Sequence, residues 1–183
     1  MKKIILVSGK ATHGKDEVSK LLVKYLSKYK DLKHMRCIKM AYGDLLKYVC
    51  KQYFGWDGEK NEKGRMLLQK VGTDICGNNN PHVWSKTLVE IIKAIWTEFD
   101  YIIISDARYK SEIKDIKKEY KDKVITVRVN RINYSSPLTE EQQKHPTETD
   151  LDNYKFDKYI INDTINKLQK DCKILAKEIY EQM

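Results

Sequence analysis

The sequence predicts an α/β protein built on a mainly parallel five-stranded sheet flanked by helices. Three observations predict it. Short apolar, β-branched runs recur along the chain, separated by stretches whose apolar residues fall at helical spacing. The runs are apolar throughout, as strands buried on both faces are, where half-exposed strands would alternate. Strands that alternate with helices join as parallel crossover units.

In chain order, Ile4-Ile5-Leu6-Val7 reads as the first strand, and Val18, Leu21, Leu22, Tyr25 and Leu26 mark a helix from Lys15. A second apolar segment lies near Met35, Ile38 and Met40. Asp44 is placed to cap a helix suggested by Leu45, Leu46 and Val49 and closed by Gly55. The polar stretch 54–63 reads as a loop, and a helical region around Arg65 to Gln69 leads to Gly72. After a loop at Asn78-Asn79-Asn80-Pro81 comes the clearest helix, with Val83, Trp84, Leu88, Ile91, Ile92, Ile95 and Trp96 on one face and Trp84 read as core. Tyr101 to Ile104 is a strand ending at Ser105-Asp106. A charged helix (Ile113, Ile116, Tyr120) leads to the strand Val124 to Val127. Region 130–152 is polar, holds two of the three prolines and lacks apolar period, and a loop that long is usually functional. Tyr159-Ile160-Ile161 is the last strand, and Ile165, Leu168, Cys172, Leu175 and Ile179 mark the last helix.

At 183 residues the chain suits one domain with a sizeable core, and 41% apolar with 33% charged residues excludes disorder. The net charge of +9 suits nucleic acid, anionic lipid or phosphate-bearing small molecules without choosing among them. Cys37, Cys50, Cys76 and Cys172 form no C-x-x-C pair, and no histidine stands at zinc-finger spacing from them, so reduced thiols in a cytoplasmic protein are expected. The apolar start stops at Ser8-Gly9, too short for a signal sequence, and no window approaches a membrane span. Arginine occurs only five times among the 35 basic residues (Arg36, Arg65, Arg108, Arg128, Arg131), so it marks places where a bidentate fork matters.

Gly9-Lys10-Ala11-Thr12-His13-Gly14-Lys15-Asp16 fits the phosphate-loop pattern G-x-x-x-x-G-K, with Asp16 where serine or threonine is usual. Glycine backbones let consecutive amides converge on phosphate oxygens, the following helix presents its positive end, and Lys15 reaches the β/γ-phosphates. Asp16 would bind Mg²⁺, directly or through water, or cap the helix. Asp106, an acid at a strand end, would hold Mg²⁺ through water, and Arg108 would project from the same end into the ligand crevice of such sheets.

Further motifs run in order along the chain: Ala41-Tyr42-Gly43-Asp44 with Leu46-Lys47; Gly64-Arg65 through Leu68-Gln69 and Gly72-Thr73-Asp74; Pro81 with Trp84; Ile104 through Arg108 with Glu112; His145 with Thr147-Glu148; and Asp157 through Asp163. With the loop, these stretches resemble the deoxynucleoside monophosphate kinases of phage and bacterial type, P-loop kinases related in fold to adenylate kinase. The aspartate after the loop lysine is itself typical of that family. Near Gly77 the family pattern has an arginine, and this chain has Cys76-Gly77.

The resemblance implies a single kinase domain over 1–183, with a monophosphate-binding region at about 42–100 and a lid at about 130–152. It implies transfer of the ATP γ-phosphate to a nucleoside monophosphate, with Mg²⁺ on Asp16 and Asp106. Gly9, Ala11, Thr12, His13, Gly14, Lys15, Asp16, Glu17 and Asn162 would hold ATP, and Arg131 would close over the transferring phosphoryl. Lys10, Asp44, Arg65, Gln69, Asp74, Arg108, His145 and Glu148 would hold the acceptor, with Lys15, Asp106, Arg108 and Arg131 as the catalytic group. Such an acceptor is already largely anionic at neutral pH, with a second pKa of about 6, so positioning and charge neutralisation suffice. The partners are then small nucleotides, with no membrane and no nucleic acid, and a homodimer is left open. The competing readings are a kinase of phosphomevalonate or dephospho-coenzyme A, and a nucleic-acid-binding ATPase suggested by the basic charge.

Overall fold

The apolar run at the start forms β1 (Lys3–Ser8), and the other four become β2 (Cys37–Met40), β3 (Tyr101–Ala107), β4 (Val124–Arg131) and β5 (Lys158–Asn162). The computed structural model describes residues 2–28, 35–59 and 61–182. All five strands pair in parallel in the order β2-β3-β1-β4-β5, with Ile4 opposite both Ile102 and Val124. β1 is buried at every position, which is why its sequence shows no alternation.

Helices cover both faces, so the sheet divides the core in two. Ile5 and Val7 point to the layer of α1 (Lys15–Leu26) and the last helix, where Val18, Leu22, Ile103, Val127, Cys172 and Ile179 are buried. Ile4 and Leu6 point to the other layer, with Leu88, Ile92, Ile102, Ile104, Ile113 and Ile116. Each such side chain contributes on the order of 2 kcal/mol by leaving water.

Between β2 and β3 the chain builds a helical subassembly: α2 (Tyr42–Tyr53), α3 (Glu62–Gln69), a π-helical turn (Lys70–Ile75), α4 (Cys76–Asn79) and α5 (Val83–Ile95). Cys50, Trp56 and Val71 bury a third, smaller cluster there. The helix does not pause at Gly72, as a glycine at its end would have it. A Cβ at Gly72 would lie 2.7 Å from the Leu46 side chain, so glycine is there to let the π turn approach α2. The buried face of α5 is Ser85, Leu88, Val89 and Ile92; Ile91 is exposed and Trp84 only half-buried, so Trp84 is not core.

α6 (Lys110–Tyr120) joins β3 to β4, and α9 (Ile165–Glu181) closes the chain. Region 130–152 is not a bare loop. It holds α7 (Glu140–Lys144), capped reciprocally by Thr139 and Gln142, and α8 (Pro146–Thr149), capped by His145. Helices of five and four residues are too short to show a period. Leu151, beyond them, is buried and ties the region to the core. Among the described residues no helix is long and apolar enough to cross a membrane, and all four cysteines are free thiols.

Candidate active site

Parallel pairing delivers every strand's carboxyl end to one edge of the sheet, where open α/β sheets bind ligands. Gly9 follows β1, Ala41 follows β2, Arg108 follows β3, and Arg131 and Asn162 end β4 and β5. The loop from Gly9 to Lys15 fits between these ends because its glycines lack side chains. A Cβ on Gly9 would stand 2.6 Å from the Val129 carbonyl oxygen, and one on Gly14, at φ +97°, 2.5 Å from Asn162 Nδ2.

Neighbouring strands latch the loop. Asn162 Nδ2 donates to the His13 carbonyl at 3.0 Å. The Arg131 guanidinium donates to the Thr12 carbonyl at 3.3 Å, and its backbone amide to His13 Nδ1 at 3.2 Å. That guanidinium lies 4.4 Å from the centroid of the Tyr134 ring, whose hydroxyl meets the Thr12 hydroxyl. Lys15 is buried beneath the loop and donates to the Lys10 carbonyl at 2.8 Å. Burial lowers its pKa to about 7, helped by the charge of Arg108 and opposed by Glu148, Asp106 and Asp16. Glu17 is half-buried in the first turn of α1.

The expected cap role of Asp44 falls elsewhere. The N-cap position of α2 is Ala41, and Asp44 sits in the first turn, exposed, bound to Lys47 at 2.8 Å. Asp106 does the capping from β3: its two carboxylate oxygens accept the amides of Tyr42 at 2.8 Å and Gly43 at 2.9 Å. Burial raises the Asp106 pKa despite those two bonds. Asp16 is open, with 72% of its side chain exposed and Lys39 at 3.0 Å. Mg²⁺ bound beside phosphates takes one or two carboxylates and completes its octahedron with phosphates and water. Asp16 fits as a direct ligand, and Asp106, with one lone pair of each oxygen engaged by α2, fits as a partner through water.

The β3–α6 turn is fixed by Glu112, a buried carboxylate that accepts the amides of Arg108 at 2.7 Å and Tyr109 at 3.0 Å. Burial pushes its pKa up to about 8, with Asp106 adding to the rise. Arg108 thereby projects toward α8, where it pairs with the Glu148 carboxylate and donates to the Thr147 carbonyl at 3.0 Å. The other Glu148 oxygen accepts the loop amide of Ala11 at 2.7 Å. Lys10 reaches Asp152 at 3.0 Å, and Arg128 holds the same carboxylate at 2.9 Å. Arg128 also bonds Ser8 at 3.2 Å and is buried, so this arginine pins the region to the sheet. Arg36 makes a surface pair with Glu98 at 3.2 Å, so scarcity alone does not mark every arginine as a site residue.

On the α2–α5 side a cavity of about 290 Å³ is lined by Met40, Ala41, Tyr42, Asp44, Trp84 and Leu88, among others. Trp84 Nε1 donates to the Gly72 carbonyl at 3.1 Å, which anchors the π turn to α5. Gln69 is half-buried at the end of α3, while Arg65 stands on an exposed turn of α3. Asp74 leaves the π turn facing His145, and its charge opposes the burial that lowers the His145 pKa. The sites thus form two groups: loop, Arg108, Arg131, Glu148 and Asn162 together, and Asp44 with Trp84 around the cavity. Tyr134, Asp152 and Lys39 join the first group with no motif to announce them.

The family model described as "Deoxynucleotide monophosphate kinase" matches residues 46–172. A comparison with curated protein sequences finds no match. Among solved structures, a sugar kinase from Janibacter sp. HTCC2649 is similar at a TM-score of 0.53 and 12% identity, over 99% of this chain and 95% of that one. The tunicamycin resistance protein of Deinococcus radiodurans is similar at 0.53 and 13%, over 100% and 95%. A gluconokinase from Sinorhizobium meliloti 1021 is similar at 0.50 and 14%, over 98% and 97%. At these identities the likeness is one of fold.

Proposed function

The chain belongs to the deoxynucleotide monophosphate kinase family, and from that premise we propose that it transfers the γ-phosphate of ATP to a deoxynucleoside monophosphate, giving ADP and the diphosphate. The observation that supports this most is that Arg108 and Arg131, from the ends of the two strands that flank β1, come to the loop that carries Lys15. A phosphoryl acceptor that is already anionic needs no base, and three cations answer the charge shared by donor and acceptor.

In this reading the loop amides, Lys15, Thr12, His13, Glu17 and Asn162 hold the donor nucleotide, and Arg131 covers its phosphates. Arg108, Lys10 and Arg65 hold the acceptor phosphate. The cavity beside Tyr42 and Trp84 receives the acceptor's base, with Asp44 in its lining; apolar walls with a few polar groups suit a planar ring. Gln69, Asp74 and His145 complete the acceptor side in this reading. When bound, Mg²⁺ on Asp16 and Asp106 supplies further charge at the phosphates. The partners are nucleotides, the basic balance serves these anions, and the compartment is the cytoplasm.

The test is ADP release with ATP and Mg²⁺ across a panel of deoxynucleoside and ribonucleoside monophosphates, phosphomevalonate and dephospho-coenzyme A. Turnover concentrated in the deoxynucleoside monophosphates is expected. Turnover confined to either of the last two acceptors would assign a different kinase.

A further inference from the structure

Glu148 stands where an anionic ligand is expected. It is buried, one oxygen accepts the Ala11 amide at 2.7 Å, and the other takes the Arg108 guanidinium. Its charge also acts attractively on Lys15. A phosphate seated on the loop would ask for the same amide and the same two cations. The carboxylate is held there by its surroundings: His145 caps α8, Arg108 also binds the Thr147 carbonyl, and Lys10 and Arg128 both hold Asp152 just beyond.

We propose that Glu148 is an internal placeholder for phosphate, which the first incoming anion must displace, so that binding of the donor and acceptor nucleotides is mutually reinforcing. The inference rests on the kinase reading above, and it adds a coupling that the reading does not contain. The Ala11 amide belongs to the donor's loop and the Arg108 fork to the acceptor. One carboxylate occupies both, and either nucleotide alone bears the full cost of moving it. The second finds it already moved, and by linkage each tightens the other equally. Without the placeholder, two anions in one cleft would repel and weaken each other.

Calorimetric titration of the full-length protein tests this, without divalent metal and at one pH and ionic strength for every variant. The first probe is inorganic tripolyphosphate, which needs only the loop. Glu148→Gln and Glu148→Ala should each bind it roughly ten-fold more tightly than the natural chain, since no charged group then competes for the amide. Asp16→Asn, which also removes a carboxylate acting on Lys15 but leaves the Ala11 amide on Glu148, should change it by much less. Equal tightening in Asp16→Asn, or none in either Glu148 variant while Glu148→Gln melts cooperatively, overturns the placeholder.

The second probe is a non-hydrolysable ATP analogue, titrated with and without deoxynucleoside monophosphate. The natural chain should show at least about five-fold mutual tightening, and Glu148→Gln none. Undiminished coupling in Glu148→Gln would also overturn the proposal. A tripolyphosphate result as expected, with no monophosphate bound by any form, would leave the placeholder standing and overturn the acceptor assignment instead.

Discussion

The carboxylate of Asp106 accepts the backbone amide of Tyr42 at 2.8 Å, across 64 residues of sequence. The strand end that carries the candidate metal acid therefore also starts the helix that walls the cavity beside Trp84. Asp106 holds two amides of α2, whereas the Asp16 side chain is 72% exposed and pairs with Lys39.

Asp16 and Asp106 should consequently respond differently to substitution. Asp16→Ala should leave the melting temperature nearly unchanged and lower kcat, while Asp16→Ser loses less, because a hydroxyl restores the usual Mg²⁺ ligand of such loops. Asp106→Ala should lose both activity and about 1–2 kcal/mol of stability with the cap. Equal, small losses in the two Asp16 variants, with unchanged Mg²⁺ dependence, would return Asp16 to a surface role.

Lys15→Met should nearly abolish transfer in a folded protein, and it has a pH signature. The folded pKa of about 7 lies below the unfolded value, so the unfolded chain binds the extra proton between the two. Stability of the natural chain should rise as pH climbs from about 7 toward 10, by a few kcal/mol at most, and this rise should vanish in Lys15→Met. Parallel urea midpoints of the two proteins over that window would contradict the burial of a charged lysine here.

Glu112→Gln probes the opposite sign. With the folded pKa raised to about 8, the folded state holds a proton that the unfolded state has released, so stability falls as pH rises from about 4.5 to 8. Glutamine can still accept from the Arg108 and Tyr109 amides and should flatten that fall, as read by denaturant midpoints at several pH values. An unflattened fall would place the titrating group elsewhere.

Arg108→Lys keeps the charge and loses the fork. The KM for the deoxynucleoside monophosphate should rise, or kcat/KM fall, by roughly ten- to a hundred-fold, with a much smaller change in the KM for ATP. Arg65→Lys should behave likewise if its exposed turn closes over the acceptor. Equal damage to both substrate constants would remove these residues from the acceptor clamp.

The strands and the phosphate loop were legible because their signals are local. Ile4 to Val7 announces a buried strand, and Gly9 to Lys15 carries its glycines at fixed spacing. What stayed hidden is pairing across the chain. Asp106 capping α2 left Asp44 as the only visible cap candidate, and Glu148 meets Ala11 across 137 residues. Gly72 reads as a helix end because a glycine's close approach to Leu46 leaves no trace in its own neighbours. The short α7 and α8 are stabilised by caps and by Leu151 in the core, and they carry too few turns for periodicity to register.

The central place of β1 sets a schedule for folding. Its partners in the sheet are residues 101–107 and 124–131, and the loop that follows it is closed by Val129, Arg131 and Asn162. His13 in the phosphate loop is 118 residues from Arg131 and 149 from Asn162, so the loop is made long before the residues that close it. Ile4 to Val7 pair only with strands of very high sequence separation, a topology that folds slowly and leaves an apolar strand unpaired in the interval. Fragments that end before β5 should carry the phosphate-loop sequence but not its shape, and should aggregate sooner than they bind a phosphate.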